Sequence, residues 1–201
     1  MRRLLREMRQ LWRRHWPLAL LLPAILAASP AHAEANQQVE EFLSQVNGHL
    51  AMMARQPSGG VNLGCTRLMA SSVNIDAIAH GAAADSWPRM TPQQRVAYRS
   101  FIEHRAVREC VRQNQDHTGA PLTLIGMRQS QSGDWMLATR SSHGGGSHNI
   151  IWRLRDDGHR LRAIDILFDG RSTMLIFREE TKSLLDRYNG NIGMMVDALP
   201  R

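Results

Sequence analysis

Leu161-Arg-Ala-Ile-Asp-Ile-Leu-Phe-Asp-Gly-Arg-Ser172 runs directly into a helix-patterned segment that ends at Tyr188. A strand that carries Asp165, turns at Asp169-Gly170-Arg171-Ser172 and enters a helix at once is an uncommon arrangement. Just upstream, Ile151-Trp-Arg-Leu-Arg155 is followed by Asp156-Asp-Gly-His159. Alternating apolar residues around an Asp-Gly pair predict a hairpin closed by Asp157-Gly158. With a two-residue turn, Leu154 would face Leu161, Trp152 would face Ala163, and Ile151 would face Ile164. One face then carries Ile150, Trp152, Leu154, Leu161, Ala163 and Leu167. The other carries Ile151, Ile164, Ile166 and Phe168, with Arg153 and Arg162 toward the turn. A sheet wetted on one side shows a clean polar face. Here both faces are apolar near Asp165, so each needs a cover. Either side chains fill both sides, or one face lines a cavity.

The same period-2 pattern predicts strands over 122–127, 135–139, 148–155 and 160–168, with a glycine-rich loop over 141–147. Before them the period is helical. Val39, Phe42, Leu43, Val46, Leu50 and Met53 mark a helix over 37–54. Weaker helical runs cover 63–72 and 73–83, and Trp87-Pro88 ends them. Thr91-Pro92-Gln93-Gln94 predicts a helix start with a capping box, leading to about Gln113. After the strands, Met174, Phe177, Thr181, Leu184 and Tyr188 mark a closing helix, and 192–199 a last short one. The predicted class is α+β: N-terminal helices on a curved four- to five-stranded antiparallel meander, with a C-terminal helix closing it.

Residues 1–33 read as an export signal. Six arginines precede an apolar run of about a dozen residues, shorter than a bilayer span, and Ala31-His32-Ala33 fits a cleavage site. The expected mature chain begins at Glu34 and forms one domain over 34–201, placed in the periplasm. Arg13-Arg14 leaves the Sec and twin-arginine routes both open. The leader holds six of the 25 basic residues and one (Glu7) of the 18 acidic ones, so 19 basic and 17 acidic residues remain. A charge near +2 argues against a nucleic-acid surface. The two cysteines, Cys65 and Cys110, read as one disulfide in an oxidising compartment, or as two buried thiols.

Little in the chain points to catalysis. The histidines after the expected cleavage site are His49, His80, His104, His117, His143, His148 and His159; His143 and His148 flank a glycine loop at a spacing that matches no usual zinc pattern, and no Ser-His-Asp signature is present. Asp165 and Asp169 lie four apart, an acid–base pair in one reading. In the other, Asp165 anchors a corner and Asp169 caps the following helix. Arg171 and Arg178 are candidates for a phosphate head group, or for surface pairs with Glu179 or Glu180.

Several of these stretches resemble the MlaC/toluene-tolerance family of periplasmic phospholipid carriers. The likeness rests on Trp87 followed by Thr91-Pro92-Gln93-Gln94-Arg95, on Phe101, and on Asp165 with Gly170 and Ser172, in that order behind an export signal. The chain departs from the family pattern at Leu161 (usually Trp), Arg171 (usually Val) and Phe177-Arg-Glu-Glu-Thr181 (usually Tyr-Arg-x-x-Phe). The resemblance implies an NTF2-like cone with an apolar cavity between sheet and helices and no cofactor. It also implies shuttling of phospholipid between an outer-membrane lipoprotein complex and an inner-membrane ABC transporter, as a monomer. A hopanoid-related cargo is an alternative, and a small enzyme using Asp165 or a His as base is the rival class. Phe101, Ile150, Trp152, Ile164, Ile166 and Phe168 are the expected lipid-contacting or supporting residues.

Overall fold

A computed structural model describes residues 30–55, 60–114, 119–143 and 146–200. The leader over 1–29, the break at Pro57 and His117 lie outside the described residues; the expected cleavage site falls in the first turn of α1.

Four helices come first: α1 (Pro30–Arg55), α2 (Gly60–Ser72), α3 (Ile75–Ala83) and, after a 3-10 turn over Ala84–Arg89, α4 (Pro92–Gln113). Val39, Phe42, Val46, Leu50 and Met53 of α1 are buried at helical spacing, which is why that segment folds as an amphipathic helix. Thr91 caps α4 as its sequence predicts: its hydroxyl accepts from the Gln94 amide, and the Gln94 side chain accepts from the Thr91 amide. Cys65 on α2 and Cys110 on α4 form a disulfide. Thus the paired reading holds, and α2 is tied to α4.

Strands β1 (Thr123–Gln129), β2 (Trp135–His143), β3 (Gly146–Asp156), β4 (Leu161–Phe168) and β5 (Arg171–Ser172) follow. They pair antiparallel in sequence order. Helix α5 (Thr173–Arg187) and the short α6 (Ile192–Asp197) close the chain. The α+β architecture with a closing C-terminal helix is as expected.

The β3–β4 register differs from the expectation. Asp156 pairs with Leu161 and Leu154 with Ala163, so the turn holds four residues. Asp157 explains it: its carboxylate accepts from the amides of His159 and Arg160, stabilising a wider loop. Beyond it the register slips once more. Arg153 pairs with Asp165, Trp152 with Ile166, and Ile150 with Phe168, leaving Ile164 as a bulge. That extra residue turns Ile166 and Phe168 onto the face of Trp152, and turns Leu167 away. The faces expected from simple alternation are therefore wrong beyond Ala163.

The two-residue turn lies one hairpin later. Asp169 and Gly170 both have positive φ, +47° and +83°, and Phe168 pairs with Arg171 across them. This is the primed-turn geometry that Asp-Gly favours. The segment 141–147 is no open loop either: β2 and β3 stay paired out to His143 and Gly146.

Candidate functional site: an apolar slot between sheet and helices

One face of the sheet meets the helices. Leu137, Ile150, Trp152, Leu154, Ala163 and Ile166 are buried on it. Trp152 packs edge-on against Phe42 of α1, with centroids 5.4 Å apart. Its indole N–H donates to the Thr139 hydroxyl at 3.0 Å, and that hydroxyl donates to the Ile150 carbonyl. The only polar atom of the ring is thereby satisfied, and the tryptophan presents hydrocarbon to the interior.

Between this face and the helices lies a cavity of about 90 Å³. Its helical wall is Val46 and Leu50 of α1, Leu68 and Met69 of α2, Val73, Ile78 of α3, and Ala106 and Cys110 of α4. Its sheet wall is Ile150, Trp152, Ile166 and Phe168, with Leu122 at the side. Polar residues join the lining toward one end: Glu109, Gln113 and Asn114 at the end of α4, and Ser141, His148 and Asp169 at the ends of the strands. His148 and Asp169 are exposed, which marks where the slot meets solvent.

The Arg112 hydrogen bond, opposed by partial burial, holds Glu109 below the usual carboxylate range. The His148 hydrogen bond and the Asn149 amide do the same for Asp169. Both stay ionised at neutral pH and each has its own partner, Arg112 and His148, so a polar rim borders one end of an apolar interior. Such a site can hold hydrocarbon inside and a polar group at the rim.

Four of the six expected lipid contacts come together in this lining: Ile150, Trp152, Ile166 and Phe168. The other two lie elsewhere. Phe101 is buried on α4 against Tyr98, and Ile164 is the buried bulge residue; neither lines the slot. Arg171 is exposed on β5, outside the lining. Arg178 donates to the Gly81 carbonyl at 2.9 Å, docking α5 on α3. Glu180 is taken by Arg105 of α4, so the Arg178–glutamate pair is replaced by an Arg105–Glu180 pair. The polar rim was missed by sequence reasoning. Its residues come from four separate places, the end of α4, β2, β3 and the β4–β5 turn, and no local pattern joins them.

Asp165 is a structural anchor. Its Oδ1 accepts from the amides of Ile166 and Met174, at 2.9 and 3.0 Å, and its Oδ2 from the Ser172 hydroxyl at 2.6 Å. Ser172, in turn, caps α5 by accepting from the Leu175 amide. The helix cap is therefore Ser172, where Asp169 was the expectation. Asp169 instead binds the Asn149 amide and His148, pinning the β4–β5 turn to β3. The two aspartates do not face each other as an acid–base couple, because β4 ends at Phe168 and Asp169 sits in the turn. His49 lies 2.9 Å from the Ser71 hydroxyl, but that contact continues to Ser72 and Gln45 and not to a carboxylate. Among the described residues, no group of three or more His, Cys, Asp or Glu is placed to hold a metal ion.

Fold and slot define an α+β domain with an open antiparallel meander and an apolar hollow beneath it. The sequence model of the MlaC protein family matches residues 36–200. The chain belongs to that family. A solved structure from Ralstonia solanacearum, described as a phospholipid-binding protein in complex with a phospholipid, superposes with a TM-score of 0.64. The alignment covers 84% of this chain and 94% of that one, at 15% identity, a likeness of fold. A search of curated proteins returned no match.

Proposed function

We propose that this protein is an exported, periplasmic, non-enzymatic phospholipid carrier. It holds acyl chains in the slot and moves them between an outer-membrane lipoprotein complex and an inner-membrane ABC transporter, acting as a monomer. The observation that carries the reading is the apolar slot beneath Trp152, open at a polar rim. Family membership supports it, as does the phospholipid in the similarly folded Ralstonia solanacearum protein. Each methylene removed from water contributes about 0.8 kcal/mol, so two acyl chains represent on the order of 20 kcal/mol before costs. Only a water-free hollow captures that energy, and it needs no nucleophile.

A cavity of about 90 Å³ is smaller than the roughly 150 Å³ that accommodates one benzene. The described slot is thus too narrow for an acyl chain, and cargo widens it by parting the walls. Native mass spectrometry of protein purified from the periplasm of its own cells checks the reading: bound mass matching phospholipid is expected. Uptake from liposomes is the second check, and Ala106→Leu, which fills the slot, should reduce it at least tenfold while the protein stays folded. No bound lipid together with no uptake would defeat the carrier reading. A hopanoid-like mass would keep the carrier and change its cargo.

A further inference from the structure

The narrow slot raises the question of which wall yields, and the walls are unequal. α2 is bonded to α4 through Cys65–Cys110. α2 also packs on α1 so closely that a Cβ on Gly64 would lie 2.3 Å from Met53 Cγ. β4 is tied to the corner by Asp165. The side between α1 and β1 is different. There the wall is residues 119–122, an irregular segment that lies on α1: a Cβ on Gly119 would come within 2.7 Å of the Ala54 methyl. Its last residue, Leu122, lines the slot. Among the described residues, one side chain hydrogen-bonds it. The Leu122 amide donates to Asn47 Oδ1 at 2.8 Å, and Asn47 Nδ2 donates back to the Leu122 carbonyl at 3.3 Å. Asn47 sits between Val46 and Leu50, both slot-lining.

Just outside this clamp the surface is apolar. Leu124 and Ile125 are 42% and 48% exposed at the sheet edge. Leu124 pairs with Thr139, the residue that holds the Trp152 indole, so it lies on the slot's face of the sheet. A register shift between Leu124 and Gly126 places Ile125 at the edge beside it. Hydrocarbon therefore continues from the slot, through Leu122, to the exterior.

We infer that the α1–β1 side is a portal for an acyl chain: the Asn47–Leu122 clamp closes it, and Leu124 and Ile125 form its outer lip. The inference rests on the proposed carrier function and adds the route and a second chain-binding subsite. An acyl chain that enters here displaces residues 119–122 from α1 and lies along Leu122, Leu124 and Ile125. The occupant is hydrocarbon because Leu122, Leu124 and Ile125 carry no charge and lead directly into the apolar slot.

The test uses protein expressed from the full-length chain and phosphatidylethanolamine liposomes carrying an analogue with a photoreactive group at one chain end. Wild type should load the analogue, and cross-links should fall on the peptide holding Leu122, Leu124 and Ile125 as well as on Trp152 and Phe168. Asn47→Ala should load about tenfold faster, and Leu124→Asp with Ile125→Asp at least tenfold slower. The two aspartates replace exposed residues, so this arm stays readable even where Asn47→Ala folds poorly. Wild-type loading with cross-links confined to Trp152, Ile166 and Phe168, and with the double aspartate variant loading at the wild-type rate, would overturn the portal and leave the carrier standing. No loading by wild type would overturn both.

Discussion

The two edges of the sheet are built in opposite ways. The β4 edge is covered. Val73 bridges Ala163 in parallel, the Asn74 amide donates to the Ala163 carbonyl at 2.8 Å, and Arg162 donates to the Val73 carbonyl. Further along, β5 pairs with β4 and Asp165 ties it to the first turn of α5. The β1 edge has no such neighbour among the described residues, and it exposes Leu124 and Ile125. An uncovered apolar edge is a liability that proteins usually blunt with charge or cover. Its retention beside a single reversible clamp is what a wall that opens requires. Stability is concentrated on one side of the slot and withheld from the other.

The largest effect should come from the staple between α2 and α4. Replacing Cys65 and Cys110 by Ser removes a link across 45 residues; in the chain-entropy account this costs about 4 kcal/mol. A fall of that size in the unfolding free energy from urea titration is the expected result, with a steeper slope because the unfolded chain is no longer cross-linked. A loss under 1 kcal/mol would mean that helix packing alone holds this wall.

Asp165→Ala comes next. It leaves the Met174 amide and the Ser172 hydroxyl without their carboxylate, and α5 loses the anchor of its cap. The expected cost is about 3 kcal/mol. Equilibrium unfolding measures it, and a near-neutral result would show that the β4 edge does not depend on this corner. It also separates the two classes of function, since a catalytic Asp165 would lose turnover while the protein kept its stability.

Acid should act on the far side of the sheet. Asp134 is buried and receives Arg155 and Arg153, at 2.7 and 2.8 Å. The Arg155 hydrogen bond comes first among the causes that hold its pKa at about 2, against a burial penalty that raises it. The folded value lies below the unfolded one, so the stabilisation is present at neutral pH. It is lost as pH falls from about 4 to about 2. Because both arginines are partly exposed, roughly 1.5 kcal/mol is expected, less than the full shift implies. Comparing acid unfolding of wild type and Asp134→Asn isolates it: the variant should be flatter over that window.

The smallest change in stability should be at the β1 edge. Leu124→Ser with Ile125→Ser removes exposed hydrocarbon, and unfolding free energy should move by no more than about 0.5 kcal/mol. A larger loss would make these residues part of the fold, and the contrast between the edges would weaken.

Local patterns carried much of this architecture. The Thr91–Gln94 capping box, the buried stripe of α1 and the four longer strands were legible because each is decided within a few residues. So was the paired reading of Cys65 and Cys110, given an even count and the expected export signal. The hairpin registers were not. Two Asp-Gly pairs occur in this region, and both favour a tight turn. The first widens because the Asp157 carboxylate takes two backbone amides, whereas the second closes tightly with both residues at positive φ. The bulge at Ile164 has no sequence mark either, since Ala163-Ile164-Asp165-Ile166 reads as an ordinary strand. It follows from two distant demands: Asp165 must reach the Ser172 and Met174 corner, and Trp152 and Ile166 must share the slot.

The chain by itself determined the order of helices and strands, the capped start of α4 and the apolar character of the interior, because propensity and periodicity act over one or two turns. Tertiary structure alone decided that Ile166 and Phe168 join Trp152, that Phe101 and Arg178 serve packing elsewhere, and that Asn47 closes the slot against Leu122. These outcomes depend on contacts between residues far apart in sequence, such as the 75 positions between Asn47 and Leu122, and a pairing at that distance is settled only when the layers pack.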